Sequence, residues 1–518
     1  GIDLSKLAPR GAKVNNTAGE STGAVSFTDL YSMVTGLIGQ QGRRGALMLS
    51  LACDHPDVEE FIQLKTDLDR VTKANVSVRM SDEFMQAVTD TKCSDYQLSF
   101  HRDETGETIS KTVDASKIFQ KLCDANYDYG EPGILFWDTI KHGCLLSEYE
   151  DFTLCGVNPC SEQPLPAGGS CLLGSINLAE YVTESGKFNM GEFETDVQIA
   201  VEALNEVLKE GLTLHPLQEQ RDAVKKWKQI GLGIMGLGDM LVKMGIKYGS
   251  TESFELCDDI GKKMFRSALI ASANLKKGHD DWDDALIRSE IYKRHFSDTE
   301  LFYPSNSQLL TVAPTGSIST MIGVSGGIEP IFAKSFNRRT VSLSGKDETH
   351  AVRPKVIEDL MNKLGISDDK DLPAYVVTAL EIPWMERVSM QSIWQKHIDA
   401  SISSTINIPE DFPKDEIMEI YLTAWDLGCK GLTIFRQGCK RDAILTTDVK
   451  SKDVESSTLV GKKRKLTTGC GSLHCTAFFD SQTGELKETY LSKGSTGGCN
   501  NFMIGLSRLI SLSARSGC

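Results

Sequence analysis

Apolar positions along the chain follow helical spacing in some stretches and run together as strands in others. Residues 1–25, rich in Gly, Ser, Thr and Asn, read as a loop. Ser26 can then cap a helix, with Asp29 at the capping-box position and Leu30, Val34, Leu37 and Ile38 as its stripe. HPDVEEFIQLK fits a second short helix, and KTDLDRVTKANVSVRM reads as a polar loop entering a strand. Between 190 and 228, Val197, Val201, Leu204 and Leu208 mark a long core-facing helix. PSNSQLLTVAPTGSIST passes from strand-like residues into a hydroxyl-rich turn, and FPKDEIMEIYLTAWDLGCKGLTIFRQG reads as a helix ending near Gly428 followed by a strand. Repetition of such units predicts an α/β architecture. The charged stretch 446–465 predicts a linker ahead of a small module.

One stretch breaks both periods: NPCSEQPLPAGGSCLLGSINL, residues 158–178. Pro159, Pro164, Pro166, Gly168 and Gly169 argue against a helix. In an extended chain Asn158, Cys160 and Glu162 share one side, so a hydrogen bonder, a thiol and a base face one way. A second thiol, Cys171, follows in the same loop.

With 518 residues and a net charge of -15, the chain predicts a protein that does not bind nucleic acid or an anionic membrane broadly, while a small anion can still sit on backbone amides. The lack of a long apolar run or a signal-like opening predicts a cytoplasmic location. Fourteen irregularly spaced cysteines read as reduced thiols. No metal motif is expected: Cys470, His474, Cys475 and Cys499 could bind zinc, but their spacing fits plain structural cysteines better. GLGIMGLG, residues 231–238, contains G-x-G-x-x-G, yet the helical RDAVKKWKQI before it favours close helix packing over a dinucleotide. The turn from Ala313 and Pro314 through Thr315, Gly316, Ser317 and Ile318 can cradle a phosphate or be a ligand-free turn. The tail RSGC, with Gly517, matches a glycyl-radical tail no better than chance.

NPCSEQPLP with SCLLGSINLAEYV, IGLGIMGLGDMLVKMGIKYGS, APTGSISTMIGVSGGIEPIFAKSF, SSTINIP and GCKGLTIFR, in this order, resemble the large catalytic chain of ribonucleotide reductases, specifically the adenosylcobalamin-dependent class II. The resemblance implies a ten-stranded α/β barrel with a central finger loop, plus a small C-terminal α+β module. Residues 1–100 would form the N-terminal barrel part with effector and dimer helices, 101–445 the catalytic barrel and 466–518 the module. It implies that Cys160 carries a thiyl radical generated by adenosylcobalamin, that Glu162 takes the 3′-hydroxyl proton and Asn158 holds the ribose, and that Cys171 is one of two reducing cysteines. Residues 313–318 would hold the substrate phosphates. Lys65, Asp67, Arg70, Lys73 and Asn75 would lie in an effector and specificity loop.

The partners implied are a ribonucleotide substrate, a deoxynucleotide effector, a thioredoxin- or glutaredoxin-like reductant and a second copy in a homodimer. Ile434 and Phe435 stand where oxygen-dependent relatives carry relay tyrosines, which favours cobalamin as the radical source. The second reducing cysteine is expected upstream of Gly1 and the shuttle cysteines beyond Cys518, so this chain is expected to be one part of a longer enzyme. A glycyl- or tyrosyl-radical reductase, a nicotinamide dehydrogenase and an inactive nucleotide-binding fragment are the alternatives.

Overall fold

The computed structural model describes residues 1–14, 19–38, 45–103, 105–341, 347–440, 445–446, 459–468, 471–480 and 486–493. Two compact units divide the chain, Gly1–Thr447 and Asp448–Cys518.

In the larger unit the strands Ile2–Asp3, Leu47–Ala52, Ala74–Met80 and Gly133–Phe136 pair in parallel, in that order. Leu47–Ala52 and Gly133–Phe136 are buried almost without alternation, as expected for a parallel sheet covered on both faces. A second parallel set starts with Leu173–Asn177 against Gly231–Met235. It continues through bridges Leu232 to Leu310 and Val312 to Ile402, and ends with Thr405–Ile408 against Gly431–Arg436. The two sets meet antiparallel where Gly431–Arg436 lies along Gly133–Phe136. Phe61, Phe119 and Tyr421 from covering helices fill the core of the first set, and Phe193, Val197, Val201 and Phe265 that of the second.

Lys430 stitches the junction. Its buried ammonium donates to the carbonyls of Gly143, Asp399 and Ala400 at 2.9, 2.7 and 2.6 Å. The Asp399 carboxylate in turn accepts from the Leu309 and Leu310 N–H groups at 2.8 and 2.7 Å.

Several elements differ from the sequence expectation. Ser26 does not cap the first helix: a 3-10 turn, Ala24–Phe27, runs into Thr28–Leu37, and the Ser26 hydroxyl donates to the Gly23 carbonyl instead. The stripe on that helix is not buried, with Leu37 76% and Ile38 73% exposed. The 190–228 segment is two helices, Met190–Leu214 and Gln218–Trp227, because Pro216 removes a donor and bars its predecessor from helical dihedrals. GLGIM is a buried strand, Gly231–Met235, rather than part of a helix pair. The hydroxyl-rich turn is the start of a short helix, Gly316–Ile322.

In the smaller unit Leu459–Thr468, Gly471–Asp480 and Leu486–Lys493 form an antiparallel sheet, and the first strand begins inside the stretch read as a linker. Cys470, Cys499 and Gly517 lie outside the described residues. Among the described residues no helix is long and apolar enough to cross a membrane, and no group of His, Cys, Asp and Glu is placed to hold a metal ion.

Candidate active site

The hairpin of strands Leu154–Val157 and Pro164–Pro166 carries residues 158–163 at its tip. The tip is a tight turn and not an extended segment. Ser161 has φ 66°, its N–H donates to the Asn158 carbonyl at 3.0 Å, and the Asn158 side-chain oxygen accepts from the Gln163 N–H at 3.0 Å. The strict alternation expected for Asn158, Cys160 and Glu162 is therefore broken, yet the turn still gathers them.

Both parallel sets hold this turn. From the first, the Asn75 amide donates to the Pro159 carbonyl at 2.9 Å. From the second, the Ser401 N–H and the Thr311 hydroxyl donate to the Glu162 carbonyl at 3.0 and 2.6 Å. Gln308 adds a bond to the Gln163 side chain at 2.8 Å. A thiol fixed from two sides in this way is preorganised for chemistry.

Glu162 is 2% exposed, and its Oε2 is buried without a hydrogen-bond partner in the structure. Burial lifts its carboxyl above the ordinary value, against the opposing pull of the Asn158 side chain. An orphaned buried acceptor is costly unless a ligand completes it, and a hydroxyl group would do so. Cys160 and Cys171 keep exposed surface, but the surrounding protein pushes each thiol up to about 11, with the Glu162 charge adding to the effect. Cys160 also feels the charge of Cys171. The site disfavours thiolates and keeps S–H groups intact, the opposite of a nucleophilic cysteine centre.

Thr311 also links the turn to residues 313–318. Ala313 and Thr315 are buried, whereas Pro314, Gly316, Ser317 and Ile318 are exposed. Thr315 adopts φ 50°, a left-handed conformation that a β-branched residue takes only when its surroundings impose it. Its hydroxyl accepts from the Gly327 N–H at 3.1 Å.

Of the five specificity-loop residues, Lys65, Lys73 and Asn75 line one cavity, and Asp67 and Arg70 are not part of its lining. Lys65 is buried and donates to the Val71 and Ala74 carbonyls at 2.6 and 2.7 Å, with Glu131 at 3.3 Å, so it braces the loop from within. Asp67 is exposed and accepts from the Asp69 N–H. Arg70 pairs with Asp29 at 2.6 Å, and the Lys73 N–H donates to Ser32, tying the loop to the helix Thr28–Leu37. Only Asn75 reaches the thiol turn. Beside it lies that cavity, of about 320 Å³ and lined by Gly45, Lys73, Asn75, Tyr129 and Pro159 among others. Thr311, Gln163 and Ser401 escaped the sequence reading, since nothing local marks a residue whose partner lies far along the chain.

The family model described as ribonucleotide reductase, barrel domain, matches residues 1–435. The chain belongs to the ribonucleotide reductase family. Among its relatives, the vitamin B12-dependent ribonucleoside-diphosphate reductase of Mycobacterium tuberculosis (strain CDC 1551 / Oshkosh) is 31% identical over 470 residues, covering 86% of this chain and 64% of that protein. The protein of the same name from Thermoplasma acidophilum is 32% identical over 466 residues, covering 86% and 58%. The chain thus spans less than two thirds of the length of these relatives. The alpha subunit of the Actinobacillus ureae class Id ribonucleotide reductase superposes with a TM-score of 0.62 at 19% identity, over 84% of this chain and 78% of that one, which supports the shared fold.

Proposed function

We propose that this chain forms the catalytic barrel of an adenosylcobalamin-dependent reductase that converts ribonucleoside diphosphates to 2′-deoxyribonucleotides. The observation that carries the reading is a turn pinned between two sheets that holds the Cys160 thiol and the buried Glu162 carboxyl, whose Oε2 lacks a partner, with Cys171 a second protonated thiol that feels the Glu162 charge. Removing a 2′-hydroxyl by radical chemistry needs these parts: a sulfur that takes and returns a hydrogen atom, a base, and a reducing thiol.

The cofactor is proposed from the names of the relatives. Two features of this chain fit it. Cys160 keeps exposed surface, so a radical source can approach it directly. Ile434 and Phe435, on the strand Gly431–Arg436, offer no phenol for a relay from another subunit. When bound, adenosylcobalamin supplies the radical by homolysis of its cobalt–carbon bond.

The chain's own residues do the rest. The Cys160 sulfur, once its own S–H hydrogen atom has gone to the radical source, takes the hydrogen atom from carbon 3′. Glu162 takes the 3′-hydroxyl proton through Oε2, and Asn158 orients the ribose hydroxyls beside it. The 2′-oxygen leaves as water. Cys171 and a second thiol supply two electrons and two protons and become a disulfide, one proton leaving in the water and one hydrogen ending on carbon 2′, while Glu162 returns its proton to the 3′-oxygen and Cys160 its hydrogen atom to carbon 3′. Residues 313–318 hold the phosphates through the N–H groups that open the helix Gly316–Ile322.

The remaining partners follow from the same reading: a deoxynucleotide effector near the loop of residues 65–75, a thioredoxin- or glutaredoxin-like reductant, and a second copy against the exposed apolar side of Thr28–Leu37. The test is a single-turnover assay with adenosylcobalamin, a ribonucleoside diphosphate and dithiothreitol, beside Cys160→Ala. Deoxynucleotide that requires both the cofactor and Cys160 is the expected result. Product formed without cobalamin would reject the radical source, and nucleotide binding with no product would reduce the chain to a binding fragment.

A further inference from the structure

We infer that Asp239 is a positioning residue: through Ser325 it holds the Thr315 turn in shape, so the GLGIMGLGD segment tunes affinity for the phosphates of the substrate without touching them. This inference rests on the proposed reading of residues 313–318 as the phosphate subsite.

Asp239 lies in the first turn of the helix Leu237–Met244 and is 1% exposed. Its carboxylate accepts from the Ser325 N–H at 2.6 Å. The Ser325 carbonyl accepts from the Gly236 N–H at 2.7 Å, and the Ser325 hydroxyl from the Gly238 N–H at 3.1 Å. Every polar group of Ser325 is thereby bound by the glycine-rich segment. Two residues on, the Gly327 N–H donates to the Thr315 hydroxyl at 3.1 Å. This bond helps keep Thr315 left-handed, and the helix carrying Gly316, Ser317 and Ile318 starts from that bend.

The glycines explain themselves in the same terms. A Cβ at Gly236 would stand 2.3 Å from the Asn177 side-chain oxygen, one at Gly238 2.9 Å from the Ile331 nitrogen, and one at Gly326 2.4 Å from the Pro314 carbonyl. They permit close approach of two loops of one chain, where a dinucleotide fingerprint would use them to admit a pyrophosphate. Burial raises the Asp239 carboxyl, and the bonds from Ser325 and the charge of Lys243 draw it back down.

The experiment titrates the chain, Asp239→Ala, Asp239→Asn and Ser325→Ala with a ribonucleoside diphosphate and with the matching nucleoside, by calorimetry and ligand-observed NMR. Asp239→Ala is expected to weaken the diphosphate about tenfold and leave the nucleoside unchanged. Asp239→Asn retains an oxygen acceptor and is expected to recover most of the loss. Equal weakening of both ligands, or an unchanged preference for the diphosphate, overturns the inference. If the unsubstituted chain itself shows no such preference, it is the phosphate subsite that is wrong. Should Asp239→Ala fail to fold, Ser325→Ala decides: it removes the hydroxyl's bonds with Gly238 and Asp239 and keeps the backbone ones, and about a threefold loss of phosphate preference is expected, with no loss overturning the inference.

Discussion

Glu162 shows how much one side chain draws from its surroundings. Its carbonyl is held by Ser401 and Thr311 while its carboxyl keeps one buried oxygen open. In its proposed role as base it must be ionised, and burial raises its carboxyl above the ordinary 4.5, so the rate should rise with pH through a midpoint above 4.5. Glu162→Gln should lower deoxynucleotide formation by about 10²–10⁴-fold and erase that limb of the pH–rate profile. The sequence singles these residues out as candidates because a thiol between an amide and an acid, framed by prolines, is an unusual arrangement. Their geometry was not, because the left-handed Ser161 undoes the alternation that a strand would impose. Lys65 shows the same dependence on the fold: two carbonyls of its own loop close over an ammonium that the sequence leaves unplaced.

At the scale of elements, the helix–strand unit ending in Gly431–Arg436 was readable from its stripe and its terminal glycine, whereas the strand Gly231–Met235 was not. Glycine is depleted in strands, and only the close packing of Gly231 and Gly233 against Thr311 shows why it is needed there. The helix Thr28–Leu37 leaves Leu30, Met33, Val34 and Leu37 exposed, which supports the proposed pairing with a second copy. Met33→Glu with Leu37→Glu should weaken self-association about tenfold or more by sedimentation, without unfolding the chain.

The helix Glu290–His295 meets the turn after the helix Trp384–Gln395 through an imidazole pair. His295 Nε2 lies 2.8 Å from His397 Nδ1, and His397 Nε2 lies 3.2 Å from Asp258. Arg294, Lys262 and Lys396 add positive charge around them. Burial holds His295 down to about 3 and His397 below 6.5. The unfolded chain therefore binds more protons below pH 6.5, so this stability is complete above 6.5 and is lost as pH falls toward 3. Denaturant titrations should show a slope approaching about 1.4 kcal/mol per pH unit in that window, shallower in His295→Gln.

Across the whole molecule, the division at Thr447 gives the larger unit two parallel sets that meet along an antiparallel seam. Lys430→Met should cost about 3 kcal/mol or more in urea titrations, because several buried carbonyls lose their donor at once. The same ammonium sets an order of events during synthesis. Gly143 leaves the ribosome 287 positions before Lys430, so the seam stays open until nearly the entire unit has emerged. Until then the edge of Gly133–Phe136 has no neighbour on that side, and a nascent chain halted short of Lys430 should be far more protease-sensitive and more dependent on chaperones than one released a few residues beyond Arg436.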